Sequence, residues 1–309
     1  MDAHLASPGA PQVTLDVLHT GVIWGWYVTM NFWAKSISTG VFLLGAFFMK
    51  RSPAKDFYRL VVPLLSFVFI NITLLFTVLD LHQMFRFWHM FVWPHPTSAI
   101  NLGAWVLTVF NGLTLAMAFL AWRKNDALYD RLIAPTWVLA FLATIYTAGL
   151  LGQANARELW HTPTEVAQMI LAATLAGAAT LLLLRVPTKL PLGISLEAGR
   201  ATDDERTRFA WVLALSALVA LTIFIAEVVF APQKTEEAAY LVQILVSGEL
   251  RTLFFSGLTL GFVVPAALAF FGLQQRSAKL FPAAAASSLV GLWLVKHAWL
   301  IAPQLIPLS

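Results

Sequence analysis

Long apolar runs separated by short charged stretches dominate this chain. A helix of about 20 apolar residues spans a bilayer. Eight such runs stand out, at approximately 22–49, 60–80, 99–122, 131–152, 164–184, 208–230, 250–272 and 280–301. The first is too long for a perpendicular span, so it is expected to tilt or to begin as an interfacial segment. The pattern predicts an all-α integral membrane protein with eight transmembrane helices in two four-helix bundles. The expected organisation is an outer segment over 1–21, a first bundle (spans 1–4) plus span 5 over 22–184, a linker over 185–207, and spans 6–8 over 208–309. The linker carries Pro187, Pro191, Gly193 and Gly199, and no clear repeat relates the halves.

The polar stretches between the runs alternate in charge. The first loop holds Lys50, Arg51, Lys55 and Arg59; the third holds Arg123, Lys124 and Arg131. The fifth holds Arg185, Lys189, Arg200, Arg206 and Arg208, and the seventh Arg276 and Lys279. The other loops have only Arg86, Arg157, Lys234 and Arg251, while Lys35 and Lys296 fall inside spans. Basic residues accumulate on the cytoplasmic side, so both termini are expected outside the cytoplasm and 185–207 inside it. The opening MDAHLASPGAPQV has no basic n-region or cleavage site, so the first span is expected to act as its own signal.

Composition closes off other classes. The chain of 309 residues is 59% hydrophobic and 12% charged, whereas soluble domains carry about 25% charged residues. A soluble enzyme lacks this chain's apolar excess, and disorder requires low hydrophobicity. The net charge of +4 calls for no nucleic acid. With no cysteine, the chain cannot ligate an iron–sulfur cluster, attach a c-type haem or form a disulfide.

Candidate chemistry gathers on one side. His4, His19, His82, His89, His95, His161 and His297 all fall at or near the outer face. Asn31, Lys35, Asp80, Tyr146, Gln153, Glu227, Glu249, Arg251 and Lys296 also lie towards it. Ionisable groups within spans are costly and mark functional candidates. Each has a plainer alternative: Lys35 and Glu227 can be packing ion pairs, Lys296 can snorkel to the surface, and Asp80 can cap a segment or pair with Arg86. Tryptophans such as Trp24, Trp26, Trp93 and Trp299 suit an interfacial belt. Only His297 lies within a span, so a transmembrane pair of haem ligands is not expected, and no metal site is expected. Redox work would then occur at one face with a carrier that brings its own chemistry. A quinone, menaquinone or ubiquinone, lives in the membrane and needs polar groups near its two oxygens plus a proton route to water.

Three segments carry a family resemblance: WGWYVTMNFWAKSISTGVFLLGAFF (24–48), LDLHQMFRFWHMFVWPHPTSAINLGAWVLTVF (79–110) and YTAGLLGQANARELWHTP (146–163). They resemble, in order, the first helix, the Asp-Leu-Gly to Gly-Ala-Trp block and the Tyr-Thr-Gly block of the NrfD/PsrC family of polysulfide reductase membrane subunits. The resemblance implies a quinone-reactive membrane anchor of a respiratory oxidoreductase complex in a prokaryotic inner membrane. Its implied partners are an iron–sulfur electron-transfer subunit and a molybdopterin catalytic subunit. The family's quinone site maps to Asn31, Asp80 with His82, and Tyr146. Two departures stand out: Lys35-Ser36 replaces the usual Ala-Gly pair, and Leu81-His82 the usual Leu-Gly. The expected roles are quinone binding by Asn31, Lys35 and Tyr146, and proton exchange or charge stabilisation by Asp80, His82 and Lys35. Glu227, Lys296 and His297 form a possible proton relay. The rivals are a redox-coupled proton-translocating subunit, an anchor without quinone, and a small-molecule transporter.

Overall fold

The computed structural model describes residues 21–49, 52–81, 83–154, 157–189, 195–196, 198–275 and 278–306. Eight helices are long and apolar enough to cross a membrane. They are α1 (Trp26–Met49), α2 (Lys55–Asp80), α3 (Ala99–Trp122) and α4 (Asp126–Gly152), then α5 (Thr162–Leu183), α6 (Asp203–Phe230), α7 (Arg251–Gln274) and α8 (Phe281–Ile301). The expected spans are all present. The chain is all-helical apart from turns and one isolated bridge, Lys189 to Ser195, among the described residues.

The boundaries differ most at one end. Helices α2, α4 and α6 each start five residues before the apolar run, at Lys55, Asp126 and Asp203. Charged residues interrupt hydropathy there, but capping and ion pairs carry the helix on. Asn125 caps α4 by accepting from the Leu128 amide at 3.3 Å. Thr202 and Glu205 form a reciprocal capping box on α6. Arg59 of α2 pairs with Asp126 and Asp130 of α4. The segment between α6 and α7 is also not the simple loop expected. It holds a helix, Glu236–Val246, capped by Thr235, that buries Ala238, Leu241, Val242 and Leu245. At 11 residues it is too short to span.

Burial separates inner from outer helices. In the most apolar stretch of each span, 72% of α1, 67% of α5 and 56% of α8 is buried, against 33% of α2 and α3. Helix α1 touches α2, α4, α5 and α8. Helix α2 touches α3, α3 touches α4, and α5 touches α4, α6 and α8, while α7 lies against α6 and α8. The outer helices expose Leu75, Phe119, Trp211, Leu215 and Phe270, which suit lipid rather than water. The inner helices hold Asn31, Lys35, Glu165, Gln168 and Lys296, because a polar group at membrane depth needs protein around it.

Small residues allow the inner helices to meet. A Cβ on Gly40 of α1 or Gly177 of α5 would collide with the other helix's backbone. Polar ties add direction. Ser38 Oγ donates to the Ser66 carbonyl at 2.7 Å, and Ser66 Oγ returns a bond to the Ser38 carbonyl at 2.9 Å, joining α1 to α2. In α7 the turn Thr259–Val263 widens into a π-helix ahead of Pro265, which lacks an amide proton. Ser287 of α8 donates to the Leu260 carbonyl in that turn at 2.7 Å.

Candidate functional site

The starts of α1, α3, α5 and α7 and the ends of α2, α4, α6 and α8 share the face with few basic residues, here termed the basic-poor end. A cleft opens there between four helices. It is lined by Trp24, Val28, Asn31 and Phe32 at α1, Phe76, Thr77 and Asp80 of α2 with Leu81, Ile100 of α3, and Tyr146 and Leu150 of α4. Asn31, Asp80 and Tyr146, each expected from the sequence, therefore come together from three helices. His82 lies outside the described residues.

Asn31 is one helical position whose orientation the backbone settles. Its amide nitrogen donates to the Thr73 carbonyl at 3.1 Å and to Thr77 Oγ1 at 2.5 Å. A carbonyl can only accept, so the Asn31 atom that faces it is the nitrogen, which points at α2 and uses both its protons there. What Asn31 can still offer is its carbonyl oxygen, a hydrogen-bond acceptor.

Lys35 lies one helical turn further along α1, on the same face as Asn31. It is 1% exposed. Its Nζ donates to Thr147 Oγ1 of α4 and sits 4.5 Å from the centre of the Tyr146 ring and 5.2 Å from that of Phe32. When the amine carries a proton these become cation–π contacts, which gain strength away from water. On α3, Gly103 abuts the Tyr146 ring, and a Cβ there would overlap it. Tyr146 is thus packed by Lys35 and by the bare backbone of α3. Nearby, Asn101 of α3 donates to the Met90 carbonyl at 2.6 Å and ties down the short helix His89–Val92.

The other candidates sit on the far side of α1. His297 Nδ1 lies 2.8 Å from Thr29 Oγ1, and its ring stacks on Trp293 at 4.9 Å. Lys296 does not snorkel. It is 5% exposed and turns inward, with Nζ 3.4 Å from Gln168 Oε1 and 4.0 Å from Met169 Sδ. Snorkelling fails because α8 is an inner helix, with α1, α5 and α7 around it. Glu165, beside Gln168 on the same face of α5, accepts from Trp299 Nε1 at 2.8 Å. Glu227 of α6 is buried and acts electrostatically on Glu165.

Sequence reading passed over Glu165, Gln168, Thr147 and Gly103. Glu165 sits in the first helical turn, where a carboxylate ordinarily complements the helix dipole. The pair Glu165 and Gln168, three apart on one face, was the available signal. Gly103 carried none, since its importance is the ring placed against it.

The basic-poor surface is cross-tied above the cleft. Gln304 Oε1 accepts from the amides of Ile23 and Trp24 at 3.1 and 2.9 Å, and Trp24 stacks on Trp160 at 5.3 Å. Arg157 donates to the carbonyls of Pro303 and Ile306. Burial pulls the Arg157 guanidinium below the ordinary arginine value, and it stays charged at neutral pH. Among the described residues no three His, Asp or Glu side chains gather as a metal site.

Comparison with known proteins gives a consistent placement. The sequence model of the family described as "Polysulphide reductase, NrfD" matches residues 17–307. A curated relative, one of the subunits of tetrathionate reductase from Salmonella typhimurium, is 33% identical over 110 residues. That stretch covers 33% of this chain and 32% of the relative, so the match spans about a third of each.

Proposed function

Because this chain belongs to the NrfD, polysulphide reductase, family, we propose that it is the quinone-reactive membrane subunit of a respiratory oxidoreductase complex. It exchanges electrons with an iron–sulfur partner subunit, itself coupled to a molybdopterin catalytic subunit. The observation that carries this reading is the cleft at the basic-poor end, where Asn31, Asp80 and Tyr146 converge beside the buried Lys35.

The donor set suits a ring with two oxygens. Asn31 offers an acceptor, Tyr146 a hydroxyl and Asp80 a carboxyl, on separate helices that fix their spacing. The cleft is narrow, ≈ 80 Å³, below the ~300 Å³ at which ligand sites usually begin. Binding a ring therefore requires lining side chains such as Phe76, Ile100 or Leu150 to turn aside. Mostly apolar walls suit a membrane-borne ligand.

A bound quinol supplies two electrons to the partner's iron–sulfur carrier and two protons to the surrounding protein. Asn31 accepts a hydrogen bond from a ring hydroxyl, and Tyr146 holds the ring oxygen. Asp80, at the mouth, passes a proton to the aqueous phase on the basic-poor side. Lys35, behind Tyr146, takes the second proton, and the ammonium so formed stabilises negative charge that develops near the ring. If the basic-poor face is the outer one, as the distribution of basic residues argues, proton release and electron transfer occur on one side.

The test is quinol oxidation by the complex purified in mild detergent. Tyr146→Phe should lower quinol-linked turnover by more than about tenfold, within the range for loss of a proton-handling group. The variant should still assemble with a stoichiometric iron-containing partner. Unchanged turnover would remove Tyr146 from the site, and a chain that purifies without an iron protein would remove the function.

A further inference from the structure

The cluster on the far side of α1 has features that packing alone does not explain. Glu165, Gln168, Lys296 and Trp299 are each 5% exposed or less. One oxygen of Glu165, Oε2, and the amide nitrogen of Gln168 are out of contact with water and have no hydrogen-bond partner. Orphaned buried polar atoms are rare and accompany redox or proton-handling sites or bound water. Here the two lie three residues apart on one face of α5 and face Lys296.

The placement of these groups is graded. At about 1.5 Å per residue, Glu165 and Glu227 lie roughly 5 Å into their helices from the basic-poor end. Lys296 and Gln168 lie roughly 8–9 Å in by the same rise, and the Lys35 backbone roughly 14 Å in. Side chains on α1 lean back towards its N-terminus, which brings the Lys35 amine up to Thr147 and the Tyr146 ring. Lys296 is close enough to act electrostatically on both Lys35 and Glu165. Charges therefore connect the ring site to Glu165 without a continuous chain of hydrogen bonds. The small apolar cluster of Phe32, Met169, Trp160 and Leu300 excludes water from the space between, and low dielectric lengthens the reach of charge.

We propose that Glu165 is a redox-linked proton-exchange group, whose carboxyl gains or loses a proton as charge at the quinone site changes. This rests on the reading of the cleft as a quinone site. The step is a proton transfer alone. When quinol oxidation leaves a proton on the Lys35 amine, its positive charge, acting with Lys296, favours the carboxylate. The Glu165 O–H bond breaks and the proton leaves to the basic-poor surface, a few ångströms away. When Lys35 gives up its proton, Glu165 takes one back from that surface. The electrons pass separately to the partner's iron–sulfur carrier. Besides burial and the Trp299 hydrogen bond, Lys296 acts on Glu165 as an opposite charge and Glu227 as a like one.

The test is redox-triggered infrared difference spectroscopy of the intact complex with a short-chain quinol, in H2O and D2O. Wild type should show a carboxylic-acid carbonyl band that appears or disappears with quinol oxidation and shifts in D2O. Glu165→Gln should lose one such band and keep that of Asp80, Glu165→Asp should restore a second, and Trp299→Phe should move the Glu165 band by removing the indole hydrogen bond. A set of carboxyl bands unchanged in Glu165→Gln overturns the proposal, as does wild type that shows the quinone's own bands and no carboxyl change. Wild type without quinone bands overturns the reading of the cleft, and the proposal falls with it.

Discussion

At the scale of single residues, the same side-chain type has different meanings on different faces. Lys35 and Lys296 are both lysines within spans, and both are buried on inner helices. Lys35 leans on a hydroxyl and two aromatic rings, whereas Lys296 faces an amide and a thioether with Glu165 near. Tyr146 depends on the neighbour with no side chain at all. Gly103→Ala should push its ring out of register and lower quinol-linked turnover by about 10- to 100-fold, the usual cost of a displacement near 1 Å. Gly149→Ala is the control, because a Cβ there meets nothing within 4 Å. Equal activity in both variants would show that the position of the Tyr146 ring does not matter. The identities of Asn31, Asp80 and Tyr146 and their place near one end of the spans were legible in the sequence. That Asn31 offers an oxygen, not a nitrogen, was not, because Thr73 and Thr77 are set by how α2 packs on α1.

At the scale of elements, the helices were legible because eight apolar runs of spanning length leave little else possible. Their starts at the basic-rich end were not, since Arg59, Asp126 and Thr202 extend helices by pairing and capping, which hydropathy does not register. The amphipathic helix Glu236–Val246 escaped for a different reason: its apolar positions recur every three or four residues over a length too short for a span. Element packing carries its own prediction. Gly177→Ala places a methyl group against the backbone of Gly40, and overpacking of this kind costs about 1–3 kcal/mol. Thermal unfolding in detergent should show a lower midpoint. Gly112→Ala, on a face with open space, should be neutral or slightly stabilising. A midpoint unchanged in Gly177→Ala would mean that α1 and α5 can separate without loss.

At the scale of the whole molecule, polarity is distributed in two senses. Basic residues favour one end of the helices, and the buried ionisable groups of the inner helices, Lys35, Glu165 and Lys296, favour the other. Between Lys35 and the opposite surface α1 buries Ser36, Ser38 and Thr39, which are polar without being ionisable. This gradient suits proton exchange with one face and gives no ionisable track to the other among the described residues. The absence of native cysteine makes orientation directly measurable. Lys234→Cys should react with a membrane-impermeant maleimide on intact cells, and Lys124→Cys only after lysis. The reverse pattern would invert the orientation and move proton release to the cytoplasm.

The sequence by itself determined the class of molecule, the number of its spans and the end at which polar chemistry gathers. Hydropathy and charge act locally and additively along a chain, so these properties can be read without knowing which helices touch. The tertiary structure alone decided which helices are inner, which side chains share a cleft and which share the second cluster. Asn31 and Thr29 are two residues apart on α1, yet one faces α2 and the other faces His297 of α8. Glu165 and Lys296 are brought near each other only by the packing of α5 on α8. Burial and pairing are properties of neighbours, and an eight-helix assembly chooses neighbours through shape and close approach at positions such as Gly40 and Gly177.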